Sequence, residues 1–289
     1  MSQCYHQAET IADLAQRQAE AKWAIASESR GRLDALTTLT QSEKTIATTG
    51  DSWDSDPWLF GVANGILDLR SGKMRPGQPT DLISRHSPVP YVANAPADRW
   101  RQFLVEIFNG DSSLISFVQK AAGLSMTGIT TEQVWFLCYE KGANGKSSFL
   151  SVLAHVFGEY AQTLPFATLS FPERPQNPND LAALAGVRIV TTVESGEAGR
   201  LNEARIKGLA GEDTIRARFL HAEYFDFRPC LKLWLAVNHR PLVRDESLGF
   251  WRKVRLVPFV QQFLLNKALK GQPLAESEGI LAWGLLRGV

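Results

Sequence analysis

The sequence predicts an α/β protein: a three-layer domain built on a central parallel sheet, preceded by a smaller, mainly helical region that carries a β-hairpin element. Two observations predict it. From Glu132 onward, short apolar runs rich in aromatic and β-branched residues alternate with segments of helical spacing, as successive βαβ units require. Before Asp98 the chain is rich in Ala, Gln, Glu, Arg and Ser, and its strand-like runs are short and separated by turn signals. The expected division is an N-terminal helical and hairpin region over 1–97, suited to oligomerisation, and the α/β domain over 98–289.

In order along the chain, residues 1 to about 47 carry sparse apolar positions, among them Leu14, Trp23, Ile25, Leu33, Leu36 and Leu39. Helices with so thin a stripe must lay it on something else, neighbouring copies included. A polar joint, TTGDSWDSDPW, follows at residues 48–58. LFGVANGILDLRSGKMRP then offers two short apolar runs with turn signals at Asn64-Gly65 and Ser71-Gly72, which predict a β-hairpin element. Asp98 to Leu124 predicts two helices broken at Asn109-Gly110. Gln133 to Tyr139 (QVWFLCY) reads as a strand buried on both faces, and Ser147 to Phe157 as a helix, with Phe149, Leu150, Leu153, Val156 and Phe157 in register.

Between that strand and that helix lies GANGKSS. A phosphate-binding loop has the pattern G-x-x-x-x-G-K-[ST]: glycines let backbone N–H groups curl round the phosphates, the lysine reaches the β and γ oxygens, and the hydroxyl ligates Mg²⁺. Gly145, Lys146 and Ser147 fill the last three places, while Glu140 stands where the first glycine is expected. Gly142, two residues on, supplies alternative flexibility. The strand before and the helix after are the context the loop needs, so Gly142, Ala143, Asn144, Gly145, Lys146, Ser147 and Ser148 are the candidate ATP-binding residues. A plain Gly-Asn-Gly turn is the competing reading.

Further on, LPFATLSFPERPQNPND (164–180) is a proline-rich loop, and LAALAGVRIVTTVES reads as a helix, then a strand over Gly186 to Val193 that ends in Glu194. A buried strand closed by an acid next to a phosphate loop is what a Walker B element looks like, its carboxylate holding Mg²⁺ or polarising water. The strand Leu231 to Val237 ends in Asn238, an amide able to orient an attacking water; a plain turn cap is the commoner fate of such an Asn. Between these strands, alternation in GLAGEDTIRARFLHAEYFDFRP predicts a second β-hairpin with Leu220 to Glu223 at its tip. From Arg205 to Arg255 there are eleven Lys and Arg against six Asp and Glu. Such an excess usually marks a solvated face, but on a projecting hairpin it suits the phosphates of a single nucleic-acid strand.

Bulk numbers bound these readings. The chain has 289 residues, 44% hydrophobic and 21% charged, with a formal net charge of +1, so any electrostatic claim on nucleic acid is local. The three cysteines, Cys4, Cys138 and Cys230, lack zinc spacing. No apolar run approaches the roughly 18 residues of a membrane span, and the N-terminus lacks signal-peptide layout; a cytoplasmic protein without membrane partners is expected.

Taken in order, DPWLFGVANGILDLRSGKMRP, GANGKSSFL, the Glu194 strand, LNEARIKGLAGEDTIRARF, LWLAVNHRP and FWRKVRLVPF resemble the superfamily 3 helicases, within them the phage and plasmid primase-helicases related to the poxvirus-type primase helicase. The resemblance implies an AAA+-like core, assembly as a homo-hexamer, and ATP hydrolysis with Mg²⁺ at subunit interfaces coupled to movement on single-stranded DNA. It further implies Lys146 and Ser147 as the Walker A pair, Glu194 as the Walker B acid and Asn238 as the motif C sensor. Arg252 and Arg255 fall where the family has its arginine finger, and Lys207, Arg216, Arg218 and His221 would face the DNA channel. A primase or replication initiator is the implied partner. Two other classes compete with this reading: a nucleotide-gated DNA-binding or loading module, and a P-loop small-molecule kinase.

Overall fold

A computed structural model describes residues 6, 9–44, 46–48, 50, 52–139, 142–171, 179–194, 199–239, 241–245, 247–263 and 273–285. The chain divides into two compact units, Met1–Trp53 and Asp54–Val289.

The first unit holds helices α1 (Leu14–Ser27) and α2 (Arg30–Thr40). Asp13 caps α1, its carboxylate accepting the Gln16 N–H at 2.8 Å. The thin stripe expected here stays largely exposed: Leu14, Trp23, Ile25, Leu36 and Leu39 all remain so, and Ala24 is the buried residue of α1.

The second unit begins with β1 (Leu59–Val62), β2 (Gly65–Asp68) and β3 (Lys73–Arg75), an antiparallel meander turning at the two predicted Gly sites. Helices α3 (Asp98–Ile107) and α4 (Ser112–Met126) follow, separated at Asn109 and Gly110, both with positive φ. The α/β elements are β4 (Trp135–Tyr139), α5 (Lys146–Phe157), β5 (Ala161–Thr163), α6 (Asn179–Ala182), β6 (Ile189–Val193), α7 (Glu203–Leu209), β7 (Ile215–Ala217), β8 (Phe225–Phe227), β9 (Lys232–Val237), α8 (Leu248–Trp251), β10 (Val254–Pro258) and α9 (Ser277–Leu285). The central sheet is five-stranded and all parallel, in the order β10-β4-β9-β6-β5.

Strand alternation explains the layers. In β9, Leu233, Leu235 and Val237 pack on one face with Trp135, Val190, Ile206 and Phe250. Trp234 and Ala236 face the other way, into the larger core with Phe136, Cys138, Phe149 and Trp100. There Phe136 stacks on Trp234 with ring centroids 4.2 Å apart. Phe60 and Leu67 of the meander and Ile280, Leu281 and Trp283 of α9 belong to this same core. The contacts therefore divide at Trp53/Asp54, well before the boundary expected at 97/98, because the meander's apolar residues have their partners in the α/β layer.

Two cations are buried at the amino-terminal ends of strands. Arg188, just before β6, donates to the carbonyls of Met126 at 2.7 Å and Leu59 at 2.8 Å. Lys232, the first residue of β9, donates to the Thr127 carbonyl at 2.6 Å. Both thus reach the carbonyl-rich end of α4, where the helix dipole favours positive charge. Among the described residues no helix is long and apolar enough to cross a membrane.

Candidate nucleotide site at the carboxyl edge of the sheet

The parallel register builds this site. Cys138 of β4 lies opposite Ala236 of β9, and Ala236 lies opposite Val193 of β6, so the residues that follow these strands emerge side by side. Those residues are the loop leading to α5, Asn238 and Glu194. Ligands of open parallel sheets gather at this carboxyl edge. β9 stands between β4 and β6, so Asn238 is the central group and Glu194 is one strand further from the loop.

The loop turns through Ala143 (φ 62°) and Gly145 (φ 87°) before α5 starts at Lys146. A left-handed conformation costs a non-glycine residue roughly 1–2 kcal/mol, so Ala143 is held there by its surroundings. One restraint is the Phe263 N–H, which donates to the Ala143 carbonyl at 2.7 Å. Gly145 is required twice over: by its φ, and because a Cβ would stand 2.7 Å from Ile107 Cγ2. Asn144 and Lys146 are buried, whereas Gly142, Ala143 and Ser147 are exposed. Ser148 is half-buried in the first turn of α5. Glu140, the departure from the loop pattern, lies outside the described residues.

Glu194 is 4% exposed. Its Oε2 accepts the N–H of Asn238 at 2.9 Å and of His239 at 3.2 Å, and its own N–H donates to the Ala236 carbonyl at 2.9 Å. Its Oε1 is buried without a hydrogen-bond partner. A carboxylate oxygen in that state is a costly thing to leave unmatched, and a hard cation or a water is the chemistry that matches it. Among the described residues no three His, Cys, Asp or Glu gather as a metal cage, so a cation here would draw on the Ser147 hydroxyl, Glu194 and ligand oxygens, the mode usual for Mg²⁺.

The remaining predicted residues are elsewhere. Arg252 follows α8 and Arg255 is in β10, opposite Phe136 near the start of β4. They line an open cleft of about 420 Å³ with Thr131, Glu132, Gln133 and Lys253, at the edge of the sheet opposite the loop. Burial, then the neighbouring Arg252 charge, lowers the Lys253 pKa; sequence reading did not single out Lys253. Arg216 and Arg218 lie on the second hairpin, their guanidinium carbons 5.3 and 4.7 Å from the Tyr224 ring centroid. The paired part of this hairpin, β7 with β8, is shorter than the alternation suggested, and His221 sits at its tip with φ 61°. Lys207, on α7, is ion-paired with Asp245.

Comparisons with known proteins agree with this architecture. Residues 3–109 match the family model described as D5 N terminal like. The chain is 27% identical over 73% of its length to a protein of Acanthamoeba polyphaga mimivirus named "Putative helicase", and 24% identical over 74% to one of frog virus 3 with the same name. It is also 26% identical over 70% of its length to a "Putative primase" of African swine fever virus. The chain spans 22% to 29% of the length of these relatives. In fold it resembles the C-terminal region of NrS-1 in its apo form, with a TM-score of 0.53 over 70% of this chain and 47% of that one at 18% identity. A second structure of that region gives 0.55 over 82% of this chain and 53% of the other at 17% identity. The motifs, the viral relatives and the fold thus converge, and the chain resembles the superfamily 3 primase-helicases along most of its described length.

Proposed function

We propose that this chain is the ATPase core of a ring-forming DNA helicase that moves on single-stranded DNA during replication of a phage, plasmid or other mobile element. The observation that carries this reading is the unpaired Glu194 Oε1, buried at the same sheet edge as Lys146 and Asn238. Bound nucleotide would lie on the Gly142–Ser148 loop with Lys146 at the β and γ phosphates and Ser147 and Glu194 holding Mg²⁺. When bound, that cation would supply positive charge to the phosphates. Glu194 polarises a water, held in place through the two backbone N–H groups that fix its Oε2, and the Asn238 amide orients that water.

Arg252 and Arg255 lie at the opposite edge of the sheet. From Trp135 to Tyr139, β4 covers about 13 Å at roughly 3.3 Å per residue, so these guanidinium groups serve a neighbouring copy's γ-phosphate rather than their own chain's. That supports a homo-oligomeric ring, a hexamer by family likeness, with the Arg216–Arg218–His221 hairpin turned to the strand. A primase or replication initiator is the natural partner. A second reading, a nucleotide-gated DNA-binding or loading module with little hydrolysis, is favoured by one feature, Glu140 in place of the first loop glycine. ATP turnover with and without single-stranded oligonucleotide separates the two: the helicase core hydrolyses ATP and is stimulated by the strand. ATP binding without stimulated turnover supports the loading module and rejects the helicase.

A further inference from the structure

The described residues that follow β9, 238–239 and 241–245, are held at both ends of the stretch. At its start, the Asn238 and His239 N–H groups donate to Glu194 Oε2. Further along, Leu242 bridges to Arg200, the Leu201 N–H donating to the Leu242 carbonyl at 3.0 Å and the Leu242 N–H to the Gly199 carbonyl at 3.2 Å. Then α7 takes over. The Arg244 N–H donates to Oε1 of the buried Glu203 at 2.7 Å, and Lys207 Nζ donates to Asp245 Oδ2. Asp245 Oδ1 accepts the Ser247 N–H at 2.9 Å. The chain leaving α7 runs directly into β7 of the basic hairpin. One loop and one short helix therefore join the Glu194 carboxylate to the base of that hairpin.

Lys207 sits at the last turn of α7 and is, by the resemblance alone, among the cations that would face a nucleic-acid strand, yet its ammonium is half-buried against a carboxylate. The Lys207 hydrogen bond, followed by those from Ser247, holds the Asp245 carboxyl down to about 2.

We propose that Lys207 and Asp245 form a latch that senses the strand: a phosphodiester takes Lys207 from Asp245 and removes one of the restraints on the stretch that follows β9, whose near end carries Asn238. This rests on the reading that a single strand meets the hairpin side of the molecule. Asp245 is then a positioning residue, acting on the nucleotide edge through the loop and on nucleic acid through Lys207.

Asp245→Asn keeps an acceptor for the Ser247 N–H and removes the charge that restrains Lys207. In the 289-residue chain, this variant should bind oligothymidylate several-fold more tightly than the natural sequence at an unchanged log–log salt slope, because Lys207 meets a phosphodiester in both complexes and only the competing carboxylate is gone. Its ATP turnover without the oligonucleotide should rise toward the stimulated rate, so that the stimulation factor falls toward one. Asp245→Glu retains the pair and should behave as the natural chain does. If the natural chain binds and responds to oligothymidylate but Asp245→Asn shows the same affinity and stimulation, the latch is refuted and the helicase reading stands. If the natural chain neither binds nor responds to the oligonucleotide, the helicase reading and the latch fall together.

Discussion

The two edges of the central sheet carry opposite chemistry. At the carboxyl edge of β4, β9 and β6 polar groups are left with capacity to spare: an exposed Ser147 hydroxyl and a buried Glu194 oxygen with no donor. At the amino edge, the buried cations Arg188 and Lys232 are matched to carbonyls of α4 and β1, while Arg252 and Arg255 open onto a cleft. The difference separates the groups proposed to bind ligand from the structural ones. A buried charge whose hydrogen bonds end on its own backbone holds the fold; a buried acceptor left unmatched awaits a ligand.

The largest effect expected from breaking this comparison is at the loop. Lys146→Ala should bring ATP hydrolysis down to background while the circular-dichroism melting curve stays close to that of the natural chain. Undiminished turnover removes Lys146 from the phosphate site. Glu194→Gln keeps acceptors for the Asn238 and His239 N–H groups and loses the anion, so nucleotide binding by fluorescence titration should survive and hydrolysis should not. Loss of binding with normal turnover of whatever ATP is bound contradicts the assignment.

Next in size are the cleft arginines. Alanine at one of Arg252 and Arg255 should reduce turnover by on the order of 10³-fold with ATP binding kept, the scale of an arginine finger. Mixing that variant with Lys146→Ala should restore part of the activity, because mixed rings contain an interface where an intact loop meets an intact arginine, and the rescue should depend on protein concentration. Mixed rings that form and stay inactive at every ratio would falsify action between copies.

The smallest effect is the structural one. Burial brings the Lys232 ammonium down to about 7 from 10.5. Between those values the unfolded chain holds a proton that the folded chain does not, so stability rises with pH across that window and is flat below it. The midpoint of thermal unfolding should climb by roughly a few degrees between pH 7 and 9 in the natural chain relative to Lys232→Met. Turnover per folded molecule should be unaltered in that variant. Parallel pH profiles for the two proteins would show that Lys232 stays protonated in the fold throughout.

Much of the carboxyl edge was legible in the sequence, because QVWFLCY, the Glu194 strand and LKLWLAV are apolar runs whose periodicity survives without tertiary information. What period and spacing cannot express is neighbourhood. The interposition of β9 between β4 and β6 depends on crossover connections, and β5 is a three-residue edge strand, AQT, with no apolar pattern to betray it. Nothing in the sequence marks Lys232 and Arg188 as buried, because their partners are backbone carbonyls far away in the chain. Lys207 likewise gave no sign of Asp245, thirty-eight residues on. The meander looked like an appendage, since four-residue strands such as LFGV and GILD cannot declare which core they will join.

One backbone bond gives the two edges a common ruler. The stretch that begins with the exposed turn at Arg252 runs up β10 and ends with the Phe263 amide on the Ala143 carbonyl. It touches the arginine cleft at one end and the strained turn of the phosphate loop at the other. Adding or deleting a single residue within β10 would displace either the Arg252 turn or the Phe263 anchor by one place, and on the displaced side the strand's side chains would change face against β4. The spacing between the arginine cleft and the Ala143 turn is thus set by counting residues along one strand and the five that follow it.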